Sequence, residues 1–237
     1  MSAQYWVVMV ILAGGILFSV KAGKLTLAGA MVGGLIGWGI FIGTGFTGLA
    51  MLATFFVLGT GATAWQAGLK ESLGLTGKEE GRRTAGQVVA NAGVAAILGA
   101  LAWYLPEQAE LCRLMLAATF ASATADTVSS ELGNVYGRRF YNILTFRKDA
   151  RGLNGVVSLE GTLAGVLGSV LIGVIYGLGF GWNLGVVWII LAGTLGNITD
   201  SVLGATLERR QYLSNNGVNF LNTTLAALVA FGLYGAG

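Results

Sequence analysis

Asp126 and Glu131 stand in the stretch ATADTVSSELG (123–133), directly after a long apolar run, and Asp200 closes a second apolar run in GTLGNITDSVLG (193–204). A carboxylate facing lipid costs roughly 3 kcal/mol or more, so such residues turn into a bundle and mark a site. Their polar neighbours recur at helical spacing. Thr119, Ser122, Asp126 and Ser129 make one stripe, and Asn197, Asp200, Gly204 and Glu208 share a face. Asn215, Asn219 and Asn222 lie on one side of a further helix, while Gln87 and Asn91 are one turn apart on another. There is no histidine and the single cysteine is Cys112, which excludes imidazole catalysis, a disulfide within the chain and a soft metal site. A metal held here must sit on oxygen, which points to Mg²⁺ or a similar hard cation. Arg82 and Arg83 end the basic loop GKEEGRR (77–83), which also carries Lys78, and RKDARGLNG (147–155) is a second such loop. Carboxylates to hold a metal, cations to neutralise oxygens and helix N-termini to receive anions together suit a metal-bound phosphate substrate.

The elements that position these residues are membrane helices. The chain has 237 residues, 54% of them hydrophobic and only 11% charged. Runs of roughly 20 apolar residues are placed near 3–20, 25–43, 46–64, 85–105, 110–130, 157–178, 184–206 and 217–235. The first run lacks a basic start and is read as a helix, not a removable signal peptide. The expected fold is an all-α, polytopic transmembrane bundle of about eight helices in a single domain, with cytoplasmic loops near 65–84 and 131–156. Lysine and arginine fall in the odd-numbered connections, which orients the basic loops to the cytoplasm and both termini outside. Asp126 is then expected about four residues, or roughly 6 Å, from the inner end of its helix. Glycine, 39 residues, recurs at four-residue steps at Gly29, Gly33 and Gly37 and at Gly173, Gly177 and Gly181, a pattern of close helix packing. GTGFTG (43–48) matches a dinucleotide fingerprint in letters only; it follows no strand and reads as a turn. No P-loop is present, and no basic stretch interleaved with aromatics suggests a nucleic-acid partner.

The motifs GRRTAGQVVANAG (81–93), ATADTVSSELG (123–133), GVVSLEGTLAG (155–165), DSVLGATLERR (200–210) and NNGVNFLNT (215–223) resemble, in order and spacing, those of the integral-membrane family catalogued as domain of unknown function ninety-two. Its characterised plant relatives are phytyl-phosphate kinases. The resemblance implies transfer of the γ-phosphoryl group of CTP or another nucleoside triphosphate to a prenyl monophosphate, such as phytyl or geranylgeranyl phosphate, giving the prenyl diphosphate. It implies phosphate or acceptor binding by Arg82, Arg83, Gln87 and Asn91, and metal binding by Asp126 and Glu131, with Ser130 beside them. Ser158, Gly161 and Thr162, at a helix start, would offer backbone amides to phosphate. Asp200, as a further metal ligand, and Ser201, Asn216 and Asn219 match the remaining motifs. Two positions depart from the expected pattern: Asn154 stands where an acidic residue is expected, and Glu160 where an uncharged one is.

The partners so implied are a prenyl phosphate lipid, a nucleoside triphosphate with Mg²⁺, and membrane lipid; self-association is left open. The rival from another class is a small-molecule or ion transporter using its intramembrane aspartates, but such sites lie near the midplane between inverted repeats. Here the charges are shifted toward the basic face and no repeat is evident. The aspartate-rich helix motif of CDP-alcohol phosphotransferases is missing.

Overall fold

The computed structural model describes residues 3–75 and 82–236. Lys78 and Gly81 of the first basic loop lie outside the described residues. The helices are α1 (Ala3–Lys21), α2 (Leu27–Ala64), α3 (Ala67–Ser72), α4 (Ala85–Tyr104), α5 (Ala109–Tyr136), α6 (Leu159–Phe180), α7 (Leu184–Leu203) and α8 (Asn215–Ala236). A 3₁₀ turn at Pro106–Gln108 precedes α5, and a π-helical turn at Gly204–Glu208 extends α7. The polytopic helical bundle read from the sequence is therefore what the chain forms. The short α3 and a two-stranded antiparallel hairpin, β1 (Tyr141–Asn142) with β2 (Val156–Val157), arise inside segments expected to be loops.

As a straight rod, α2, with 38 residues, would run about 57 Å. Gly45 breaks it, with φ 62° and ψ −152°, a backbone region that only glycine enters readily. The two halves fold back on each other. A Cβ at Gly37 would lie 3.5 Å from Leu52 and 3.7 Å from Leu49, and Gly29 and Gly59, from opposite halves, both abut Arg83. The turn expected at 43–48 is this bend, and it divides α2 into two helical halves. Six of the described helices are long and apolar enough to cross a bilayer, α2 among them. With the two halves of α2 counted separately and α5 added, the described residues hold eight long helical segments, the number expected.

The long helix outside that apolar set, α5, is the centre of the bundle. Every residue from Leu116 to Ala125 is buried, and α5 touches α2, α4, α6, α7 and α8. Its neighbours are protein, so it needs no lipid-facing stripe, and its small residues (AATFASATA) let other backbones come close. A Cβ at Gly161 of α6 would sit 2.9 Å from the Gly133 Cα and 2.7 Å from the Ser129 carbonyl. This closeness has a consequence for Asp126. α5 runs on to Tyr136, so Asp126 lies ten residues, about 15 Å, from the helix end instead of four. Of the residues that continue it, ELGNVY, Glu131 and Asn134 are polar, and with Gly133 they line a cavity that tolerates them where lipid would not.

Candidate functional site

One cavity of about 820 Å³ opens at the end of the bundle where the basic connections gather. Of the fourteen site residues that the family motifs imply, eleven line it: Arg82, Arg83, Gln87, Asn91, Asp126, Ser130, Glu131, Ser158, Asp200, Ser201 and Asn219. Three do not. Gly161 is buried in the α5–α6 contact, Thr162 folds its hydroxyl back on the Ser158 carbonyl at 3.0 Å, and Asn216 packs beside Gly86 at the start of α4. The amides of Gly161 and Thr162 are also occupied, by the Ser158 hydroxyl (3.1 Å) and carbonyl (2.9 Å). Ser158 is thus the N-cap of α6, and it consumes donors that the sequence pattern offered to phosphate.

One wall is basic. Arg83 is fixed by its backbone: its N–H donates to the Lys24 carbonyl at 2.9 Å and its carbonyl accepts from the Thr26 N–H at 3.0 Å. The guanidinium reaches inward over the Phe55 ring, 5.7 Å from its centroid, against Gly59, where a Cβ would lie 2.9 Å from it. Gly59 is small so that Arg83 can lie there. Burial lowers the pKa of Arg83, and the Glu131 carboxylate opposes that, so the group remains a cation. Lys24, Lys70 and Arg82 line the same side. The Lys70 ammonium is buried and lies 2.6 Å from a Glu131 carboxylate oxygen. Behind this wall α4 begins with a capping box: Thr84 accepts from the Gln87 N–H, and the Gln87 side-chain oxygen accepts from the Thr84 N–H at 2.8 Å.

The other wall is acidic. The Asp126 and Asp200 carboxyl groups, from α5 and α7, come within hydrogen-bonding reach of each other, and Glu208 faces Asp200 from the π-helical turn. Asn222 of α8 donates to Asp200 at 2.6 Å and accepts from Ser122 of α5 at 3.3 Å, so three helices meet in one buried polar chain. Two carboxylates this close repel unless a proton or cation lies between them. Among the described residues no three histidine, cysteine, aspartate or glutamate side chains converge on one point. Asn219 lines the cavity, and its side-chain oxygen, buried, has no hydrogen-bond partner among the described residues. The two carboxylates are hard-oxygen donors. They suit Mg²⁺, which commonly takes one or two carboxylates and completes its octahedron from phosphate and water.

The β1–β2 hairpin segment closes one side through Gly152, Leu153, Asn154 and Gly155. Arg209 holds it, with one guanidinium nitrogen on the Asn154 carbonyl at 2.5 Å and another on Asp149 at 2.9 Å. Gly155 has φ 73° and lies directly on Ala205, where a side chain would collide. Asn154, the departure from the expected motif, therefore borders the cavity; Glu160 does not, and its carboxylate instead accepts from the Arg138 N–H at 3.4 Å. Sequence reasoning missed Lys24 and Lys70 as site residues, and it placed Asn222 only on the asparagine face of its helix. Lys70 and Glu131 are 61 positions apart, and no local spacing signals such a pair. Glu208 was visible only as a member of the Asp200 face.

A polytopic helical bundle with polar chemistry gathered at one membrane face defines an integral-membrane protein whose site lies at the end of the bundle. The chain belongs to the family described as integral membrane protein DUF92, whose model matches residues 9–227. It is 32% identical over 216 residues to the protein VTE6, chloroplastic, of Arabidopsis thaliana, an alignment covering 86% of this chain and 62% of that protein. An uncharacterized membrane protein of Synechocystis sp. is 33% identical over 86% of this chain and 79% of its own length. One from Methanocaldococcus jannaschii is 31% identical, over 90% and 87%. No solved structure matches.

Proposed function

We propose that this protein is a membrane-embedded kinase that transfers the γ-phosphoryl group of CTP, or another nucleoside triphosphate, to a prenyl monophosphate such as phytyl or geranylgeranyl phosphate. The observation that carries the reading is a cavity lined both by Lys24, Arg82 and Arg83 and by the Asp126–Asp200 pair. Membership of the family, and the kinase activity that the motifs imply, supports it from a second direction. In this reading the basic face is cytoplasmic, because that is where short loops retain lysine and arginine.

The chemistry asks little of side-chain bases. An oxygen of the acceptor phosphate, already an anion, attacks the γ-phosphorus, and the bond to the bridging β-oxygen breaks, so the nucleoside diphosphate leaves with no proton to remove. A chain without histidine is adequate to that task. The barrier is the approach of two polyanions. Arg83 and Arg82, with Lys24, neutralise phosphate oxygens in a site partly screened from water, where each charge counts for more than in bulk solvent. Asp126 and Asp200, with the Asn219 oxygen, are the residues that would hold Mg²⁺, which supplies charge neutralisation of the phosphates when bound. The prenyl chain remains among the helices while its phosphate reaches the cavity.

The test is turnover in detergent with Mg²⁺, each of four nucleoside triphosphates, and phytyl, geranylgeranyl and farnesyl monophosphates, following prenyl diphosphate by mass. Product from wild type that falls by at least about 100-fold in Asp126→Asn, with melting behaviour retained, is the expected outcome; loss of a metal or charge-stabilising group has this scale. Undiminished turnover in the variant at saturating Mg²⁺ would sink the role given to Asp126. No product from any pair, with folded protein, would sink the kinase reading.

A further inference from the structure

We infer that Lys70 and Glu131 are a positioning pair for the basic wall, and that Glu131 binds no metal: its carboxylate locks the end of α2 and α3 to α5, and so places the surface on which Arg83 rests. The inference rests on the reading of the cavity as a phosphate site and reassigns one carboxylate within it.

An ammonium has three donors and no acceptor. All three of Lys70 are spent: on the Glu131 carboxylate at 2.6 Å, on the Thr63 carbonyl at 2.6 Å and on the Ala62 carbonyl at 3.1 Å. Lys70 borders the cavity yet has nothing left to offer a phosphate. The two carbonyls are among the last four of α2, which have no partner within the helix; that of Ala62 also accepts from the Trp65 N–H at 3.2 Å. Lys70 therefore caps α2 with a charge of the favourable sign, and Glu131 holds that cap from α5. One turn before those carbonyls is Gly59, the residue that the Arg83 guanidinium lies against. A shift in the last turn of α2 moves the bed of Arg83.

Asp126 and Asp200 are placed differently. Among the described residues the ion pairs are Lys70–Glu131 and Arg209–Asp149, so neither aspartate is paired to a side-chain cation. A divalent cation at Glu131 would compete with an ammonium already at 2.6 Å; at the aspartate pair it would relieve repulsion. The cavity thus divides its carboxylates by task. Asp126 and Asp200 attract a cation, and Glu131 organises one that the chain itself supplies.

The experiment measures two affinities on detergent-purified protein, Mn²⁺ by electron paramagnetic resonance without nucleotide, and a non-hydrolysable CTP analogue by calorimetry. Glu131→Gln is expected to keep Mn²⁺ affinity within about twofold, whereas Asp126→Asn weakens it at least about tenfold. Glu131→Gln and Lys70→Met are each expected to weaken the analogue about fivefold or more. The double variant is expected to recover the melting temperature lost in Lys70→Met, since no buried charge is left unpaired, without recovering analogue affinity; a purely structural pair would recover both. Loss of Mn²⁺ in Glu131→Gln equal to that in Asp126→Asn would make Glu131 a ligand and overturn the inference. So would unchanged analogue affinity in both folded single variants. If the expected pattern holds but no prenyl phosphate is phosphorylated, the kinase reading fails while the positioning pair stands.

Discussion

Asp200 is held by a residue that does not line the cavity. Asn222 is 1% exposed, and its amide donates 2.6 Å to one carboxylate oxygen of Asp200 while Ser122 donates to it from α5. A buried acceptor stripped of its donor loses roughly 1–3 kcal/mol of stability, more when it is charged. Asn222→Ala is therefore expected to lower the melting temperature in detergent and to raise the Mg²⁺ concentration needed for half-maximal turnover, because Asp200 is then free to rotate away from Asp126. Unchanged melting and unchanged Mg²⁺ dependence together would show that Asn222 does not orient the pair. The stripe that contains Ser122, and the asparagine face of α8, were legible from spacing alone. That the two stripes meet was not, since helical period identifies a face and never its partner.

The hairpin segment is held differently, by surface charge. A hydrogen bond from the Arg209 guanidinium, and then one from the Ala150 N–H, hold the Asp149 carboxyl below the ordinary carboxylate range. The native state thus favours the charged form. Its contribution is complete above the ordinary carboxylate pKa of about 3.9 and is lost as pH falls through the lower native value. Hydrogen exchange at the amides of Asn142 and Ile143, which bond Arg147 and Gly155, corrected for intrinsic rate, is expected to be steady from about pH 7 to 5 and to quicken only below about pH 4. Arg209→Ala should show faster exchange already at neutral pH and a weaker acid response; identical profiles would exclude the latch. The segment was read as loop because two-residue strands leave no alternation to detect. Its glycines were visible, but the surface under Gly155 is Ala205 of the π-helical turn, fifty positions away.

Across the whole molecule, the bend at Gly45 decides the topology. With α2 folded back, the α1–α2 connection and the residues after α2 share a face with Arg83, while Tyr5, Trp38, Phe41 and Phe46 cluster at the other end near the bend. In a Cys112→Ser background, single cysteines at Lys24 and at Trp65 are expected to react with a membrane-impermeant thiol reagent from the same side of intact membranes, and one at Phe46 from the opposite side. Reaction of Lys24→Cys and Trp65→Cys from opposite sides would mean that α2 crosses once, and would reverse every later helix.

Composition and run length determined, without any structure, that this chain is a membrane bundle, where its long apolar helices fall and where its basic connections gather, because the bilayer imposes one length scale and one polarity rule on every segment. The motif spacing was enough to choose eleven residues that do line one cavity. Only the tertiary structure divided them. It set Asp126 beside Asp200, gave Glu131 to a buried lysine 61 positions earlier, withdrew Gly161 and Thr162 into the α6 cap, and carried α5 past its expected end into water. These outcomes depend on which helices touch and how deeply, and both are decided by packing between residues far apart in the chain, to which no local pattern is sensitive.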